Sequence, residues 1–158
     1  VPKNKALVLK ELKNQFTLVL DGVQDPGNMG TIIRTADWFG FKNIICSPDC
    51  VEIFNPKTVQ ATMGSLARIN IHEADLPALL ENNTLPVFGA LLDGESIYKT
   101  QWGTEGLVIL GKEGKGISAE VIKKINKPVT IPRVGAAESL NVAVSAAIFC
   151  AELVRVRN

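Results

Sequence analysis

Asn28 and Arg34 stand six residues apart in DGVQDPGNMGTIIRTADWFG, the stretch from Asp21 to Gly40, beside a loop built from Pro26, Gly27 and Gly30. Arg34 directly follows Ile32-Ile33, where a helix should bury an apolar face. A plain surface helix needs no glycine-rich entrance, whereas a phosphate or polar ligand approaching the backbone does. The bland alternative makes Arg34 a solvated helix cation. Its place just past a strand-end loop favours a ligand.

A second candidate lies in LGKEGKGIS, Leu110 to Ser118. Gly111 and Gly116 have the spacing of a phosphate-binding P-loop, but Ile117 stands where the lysine belongs. The dinucleotide fingerprint after Leu20 also fails, because the chain reads Asp21-Gly22-Val23-Gln24-Asp25-Pro26-Gly27. What remains is a glycine loop that carries Glu113 and opens a helix, or glycines present only for a tight turn. A third stretch, IPRVGAAESLNVAVSAAIF, runs from Ile131 through Gly135 to Ser139, Leu140 and Asn141. Ser139 and Asn141 are polar groups for a ligand or simply caps of the helix that follows.

The elements that must position these residues are legible from apolar periodicity. Strands are expected at Phe16 to Leu20, Asn43 to Cys46, Arg68 to His72, Pro86 to Leu92, Leu107 to Leu110 and Val129 to Ile131. Helices are expected from about Met29 to Phe39, Pro56 to Leu66, Leu76 to Glu81, after a Ser118 cap, and from Asn141 to Arg155. Apolar strands alternating with helices predict an α/β fold, a mostly parallel sheet with helices on both faces. Parallel sheets bind ligands beyond the carboxyl ends of their strands. Three such ends, carrying Asn28 and Arg34, then Glu113, then Ser139 and Asn141, point to one convergent site.

Composition excludes several other classes. The 158 residues are 46% hydrophobic and 21% charged, which fits one globular domain, and the formal charge of +1 argues against bulk electrostatic coating of nucleic acid. No apolar run reaches membrane-spanning length and no signal peptide is evident, so a cytoplasmic location is expected. Cys46, Cys50 and Cys150 are not spaced with His72 as a metal site, so reduced, packed thiols and no metal are expected. His72 reads as a strand residue, and the glycosylation match at Asn82-Asn83-Thr84 as chance. The chain opens Val1-Pro2. Residues 1–15 are read as a linker to something now missing, and 16–158 as the functional domain.

The three stretches together resemble the SpoU (TrmH-like) family of the SPOUT superfamily, S-adenosylmethionine-dependent RNA 2'-O-ribose methyltransferases. The first motif is similar to Asn28-Met29-Gly30 with Arg34-Thr35-Ala36, and the second to Leu110 through Ser118. The third is similar to Ile131-Pro132 with Ser139-Leu140-Asn141-Val142, and the resemblance extends from Phe16 onward. It implies a C-terminal deep trefoil knot, a homodimer and a missing N-terminal RNA-binding domain that the 1–15 linker would join. It also implies S-adenosyl-L-methionine held largely by backbone at Leu91, Leu110, Gly111, Gly116, Ile131 and Leu140. On that placement, Gly111→Val should block the cofactor and leave the fold intact.

The resemblance further implies that Arg34 acts on a ribose 2'-hydroxyl of ribosomal or transfer RNA, with Asn28, Glu113, Ser139 and Asn141 holding it and the ribose. An arginine stays charged, so it suits charge stabilisation better than base catalysis. Two rivals stay open at this point: a knotted dimeric RNA-binding module without catalysis, and a methyltransferase for another substrate.

Overall fold

The computed structural model describes residues 9–62, 64–112 and 114–158. Six strands form one sheet: β1 (Phe16–Asp21), β2 (Asn43–Cys46), β3 (Asn70–Glu73), β4 (Val87–Ser96), β5 (Gly106–Gly111) and β6 (Lys127–Thr130). Their order is β3-β2-β1-β5-β4-β6, and every pairing between them is parallel. The helices are α1 (Pro26–Trp38), α2 (Pro56–Thr62), α3 (Leu76–Glu81), α4 (Ala119–Ile122) and α5 (Val142–Arg157). Single 3-10 turns occupy Leu9–Leu12 and Ser65–Ala67.

Alternation along the strands divides the core in two, because successive strand side chains point to opposite faces. Phe16, Leu18 and Leu20 pack with Ile44, Val108 and Leu110, and α1 and α5 cover them through Ile32, Ile33, Ala146, Phe149 and Leu153. Val19, Ile45, Leu107 and Ile109 face the other way, onto Leu76 and Leu80 of α3 and Val121 of α4. Leu12, in the first 3-10 turn, joins this second cluster. Helices thus cover both faces, as the apolar strands required.

Departures from the sequence expectation have local causes. Helix α1 starts at Pro26, three residues before the expected Met29, because Asp25 caps it and proline suits the first turn. Helix α2 stops at Thr62, and Gly64, at a φ of +94°, leads into the 3-10 turn. Strand β4 runs on to Ser96: Ala90 and Glu95 both pair with Val129, so Leu91–Gly94 forms an excursion between them. Ser118 occupies the position before α4, but its side chain makes no capping bond.

Candidate functional site

The carboxyl ends of β1 and β5 lie side by side, with Asp21 registered against Gly111. The chain leaving β1 enters α1 through Asp25, whose Oδ2 accepts the Asn28 N–H at 2.8 Å. That bond seats Asn28 in the first turn. Its Oδ1 accepts Asn141 Nδ2 at 3.1 Å, a link across 113 residues. Asn141 in turn caps α5, its Oδ1 accepting the N–H groups of Ala143 at 2.8 Å and Val144 at 3.1 Å. Two backbone donors fix which end of the amide is oxygen, so the Nδ2 donor must face Asn28. The first and third stretches therefore meet directly. The capping reading of Asn141 holds, and the capping bond is what aims its amide at Asn28.

Arg34 is exposed on α1, six residues and roughly 9 Å along the axis from Asn28. It carries no hydrogen bond or ion pair among the described residues, so its guanidinium is available to an incoming group. Gly30 has a different task from the ligand approach expected of it. A Cβ there would lie 2.2 Å from Ala61 Cβ and 2.9 Å from Thr58 O, so this glycine lets α1 pack closely on α2.

The loop after β5 folds back on itself. Gly116 N–H donates to Lys112 O at 2.8 Å, with Gly114 at a φ of +79° and Gly116 at +69°, both in the region that favours glycine. A Cβ on Gly111 would sit 2.1 Å from the Gly116 carbonyl carbon and 2.3 Å from Ile117 N. Gly111 is thus needed for the loop's own closure, so Gly111→Val would disturb the loop itself, against the expectation that it leaves the fold intact. Glu113 lies outside the described residues. Beyond β6, Pro132 to Asn141 is exposed and belongs to no helix or strand. Ser139 lies in this loop without a side-chain hydrogen bond among the described residues, while Ile131 is half-buried and Leu140 is 50% exposed. Leu91 is half-buried in the β4 excursion, and Leu110 is buried in β5.

A cavity of about 230 Å³ opens between the two strand-end loops, lined by Asp21, Gly22, Asp49, Lys112, Lys115 and Ser118 among others. Cys50, next in the chain to the lining residue Asp49, has its Sγ 3.4 Å from Leu20 O. A hydrogen bond from Cys46 is the main cause that brings the Cys50 thiol down to about 6, while Cys46 is pushed well up. Among the described residues, no group of three His, Cys, Asp or Glu could hold a metal ion, and no helix is long and apolar enough to cross a membrane. His72, on the edge strand β3 in register with Ile45, bonds Asn43 Oδ1 through Nε2 at 3.0 Å. Sequence reasoning missed Asp21 altogether. Its only signal was an acidic residue at the end of an otherwise apolar strand.

Residues 15–151 match the SpoU rRNA Methylase family. The chain is 37% identical over 135 residues to the 23S rRNA (guanosine(2553)-2'-O)-methyltransferase RlmP of Bacillus subtilis, covering 83% of this chain and 54% of that one. A solved TrmH-family structure from Porphyromonas gingivalis superposes with a TM-score of 0.86 at 46% identity, over 90% of this chain and 60% of that one. The AdoMet-bound rRNA methyltransferase of Sinorhizobium meliloti superposes with a TM-score of 0.84 at 33% identity, over 90% and 56%. The chain spans about half the length of curated relatives it matches.

Proposed function

The chain belongs to the SpoU rRNA methylase family, and from that premise we propose that it transfers a methyl group from S-adenosylmethionine to a ribose 2'-oxygen of ribosomal or transfer RNA. The observation that carries this reading is the Asn141–Asn28 hydrogen bond, which ties the third stretch to the helix bearing Arg34. Residues 16–158 form the methyltransferase domain in this reading, acting in the cytoplasm.

The loops suit the cofactor by chemistry. The 132–140 segment lies outside every described helix and strand and offers backbone polar groups. Leu91, Ile131 and Leu140 supply partly exposed apolar surface, with Leu110 in the core behind Gly111, and the Gly111 and Gly116 backbone completes the cradle. When bound, S-adenosylmethionine supplies an electrophilic methyl on sulfonium sulfur. The chain must then hold the ribose oxygen in line and stabilise charge on it. Arg34 donates to the neighbouring phosphate and to the 2'-oxygen as the hydroxyl proton leaves to solvent. Asn28, Glu113, Ser139 and Asn141 orient that cation and the ribose. Lys112, Lys115 and Arg133, on the same loops, add positive charge where RNA phosphates would approach.

Two finer features belong to the same proposal. The first is a trefoil knot: a Cβ on Gly94 would lie 2.4 Å from Val129 N, so β6 passes hard against the β4 excursion, as a threaded segment would. The second is a homodimer, supported by exposed Val134 and Val144 beside half-exposed Leu140. Titration of the chain with S-adenosylmethionine, then methyl transfer to total RNA with nuclease mapping, tests the function. A 2'-O-methylated nucleotide supports it. Cofactor binding without transfer to any RNA would favour the non-catalytic module.

A further inference from the structure

Strand β1 ends on a buried carboxylate to which the chemistry above gives no task. Asp21 is 8% exposed, and its Oδ2 accepts the Ser118 N–H at 2.7 Å, across 97 residues. A buried carboxylate is costly unless bonded, and a charge-assisted bond to a backbone N–H is among the stronger pairings.

We propose that Asp21 is a positioning residue that fastens the 111–118 loop to the strand end from which α1 departs, and so sets the spacing between the cofactor loop and the Arg34 helix. The inference rests on the reading that this loop holds S-adenosylmethionine. Three features hold the loop at its base. Gly116 closes back on Lys112. Ile117, 5% exposed, is buried among Val19, Leu76 and Ile109. Ser118, the exit residue, is bound by Asp21.

Among these three, Asp21 is the polar group that reaches the loop from another strand, and it lies directly opposite Gly111 in the sheet. The residue after it, Gly22, donates its N–H to Ser47 Oγ at 2.8 Å, which anchors the other side of the same strand end. Three residues further on, Asp25 caps α1. One short segment, Asp21 to Asp25, therefore holds both the helix carrying Asn28 and Arg34 and the exit of the loop carrying Gly111 and Gly116. Loss of the Asp21–Ser118 bond would let the loop move relative to that helix while the core beneath stays packed.

Three variants test this. Asp21→Ala removes the acceptor, and Asp21→Asn keeps an oxygen acceptor. Ser118→Pro removes the donor at a φ of −64° that suits proline, and its Cδ presses on the Asp21 carboxylate unless Asp21→Ala makes room. Amide hydrogen exchange of the cofactor-free chain should show faster exchange across 112–118 in Asp21→Ala and Ser118→Pro, with β1 and β5 unchanged. S-adenosylmethionine affinity should fall about ten- to a hundredfold in either, as for loss of a hydrogen bond to a charged group. The double variant should be no worse than the single ones, because both remove one bond. Asp21→Asn should restore most of the affinity. Unchanged exchange and affinity in Asp21→Ala, or additive losses in the double variant, would overturn the proposal. If Asp21→Ala does not fold, Ser118→Pro and Asp21→Asn give the same decision. A wild-type chain that fails to bind S-adenosylmethionine would refute the cofactor reading instead, and the exchange rates would still decide the fastening.

Discussion

Asn141 donates to Asn28 at 3.1 Å while its own oxygen caps α5, so one side chain both starts the last helix and grips the first. The two roles can be separated by substitution. Asn141→Ala loses the cap and the link, and should cost about 1–2 kcal/mol in denaturant unfolding. Asn28→Ala leaves the cap of α5 intact and should cost less. Equal losses would mean that the link, rather than the cap, carries the stability.

Gly111 faces backbone with no room for a methyl group, its ideal Cβ lying 2.1 Å from the Gly116 carbonyl carbon. Gly111→Ala should therefore lower stability by about 1–3 kcal/mol, as overpacking does, and weaken S-adenosylmethionine at the same time. Calorimetric unfolding beside a cofactor titration measures both. A variant that loses affinity at full stability would mean that the added methyl meets the ligand and not the loop.

Much of this architecture was legible in the sequence, because the interior strands are buried on both faces and read as unbroken apolar runs. Strand β2 has the expected bounds, Asn43–Cys46, and β5 differs by one residue at each end. The expected start of α1, Met29, falls three residues late because Gly27 and Gly30 read as a loop, although Asp25-Pro26 is itself a helix-start signature. The continuation of β4 to Ser96 depends on pairing with Val129 and Thr130, which no local pattern announces. The candidate site was legible as three separate stretches. Its closure was not: neither the Asn28–Asn141 pair nor the Asp21–Ser118 pair leaves a mark in local spacing, since each joins residues about a hundred positions apart.

The three cysteines should differ sharply in reactivity. The hydrogen bond from Cys46, with further bonds from Ser47, Val23 and Gly22, brings Cys50 down to about 6, so its thiolate is populated as pH rises through that value. Burial pushes Cys150 up to about 12, and Cys46 is pushed well up, first by the hydrogen bond with Cys50 and then by burial. The thiolate is the nucleophile, so iodoacetamide at pH 7 should label Cys50 first, at a rate that falls as pH drops below about 6. Peptide mapping after a short pulse checks this. Equal labelling of Cys50 and Cys150 would contradict it.

The exposed apolar groups near the third loop should be covered in solution. Val134 is 99% exposed, Leu140 50% and Val144 48%, at the entry to α5. A closed two-fold pairing is the commonest way to bury such a surface. Sedimentation at micromolar concentration should give twice the chain mass, and Val144→Glu should shift it toward one. A clean monomer in the unsubstituted chain would exclude the proposed homodimer.

Arg34 decides the central claim. Single-turnover methylation of a cognate RNA should be compared in the unsubstituted chain, Arg34→Lys and Arg34→Ala, beside S-adenosylmethionine titrations of each. A fixed charge at the 2'-oxygen predicts that Arg34→Ala loses about a hundred- to a thousandfold in rate at unchanged cofactor affinity. Arg34→Lys should retain part of the rate as a point charge without the two-pronged geometry. Methylation by Arg34→Ala at the unsubstituted rate would contradict the catalytic assignment and return Arg34 to the status of an ordinary surface cation.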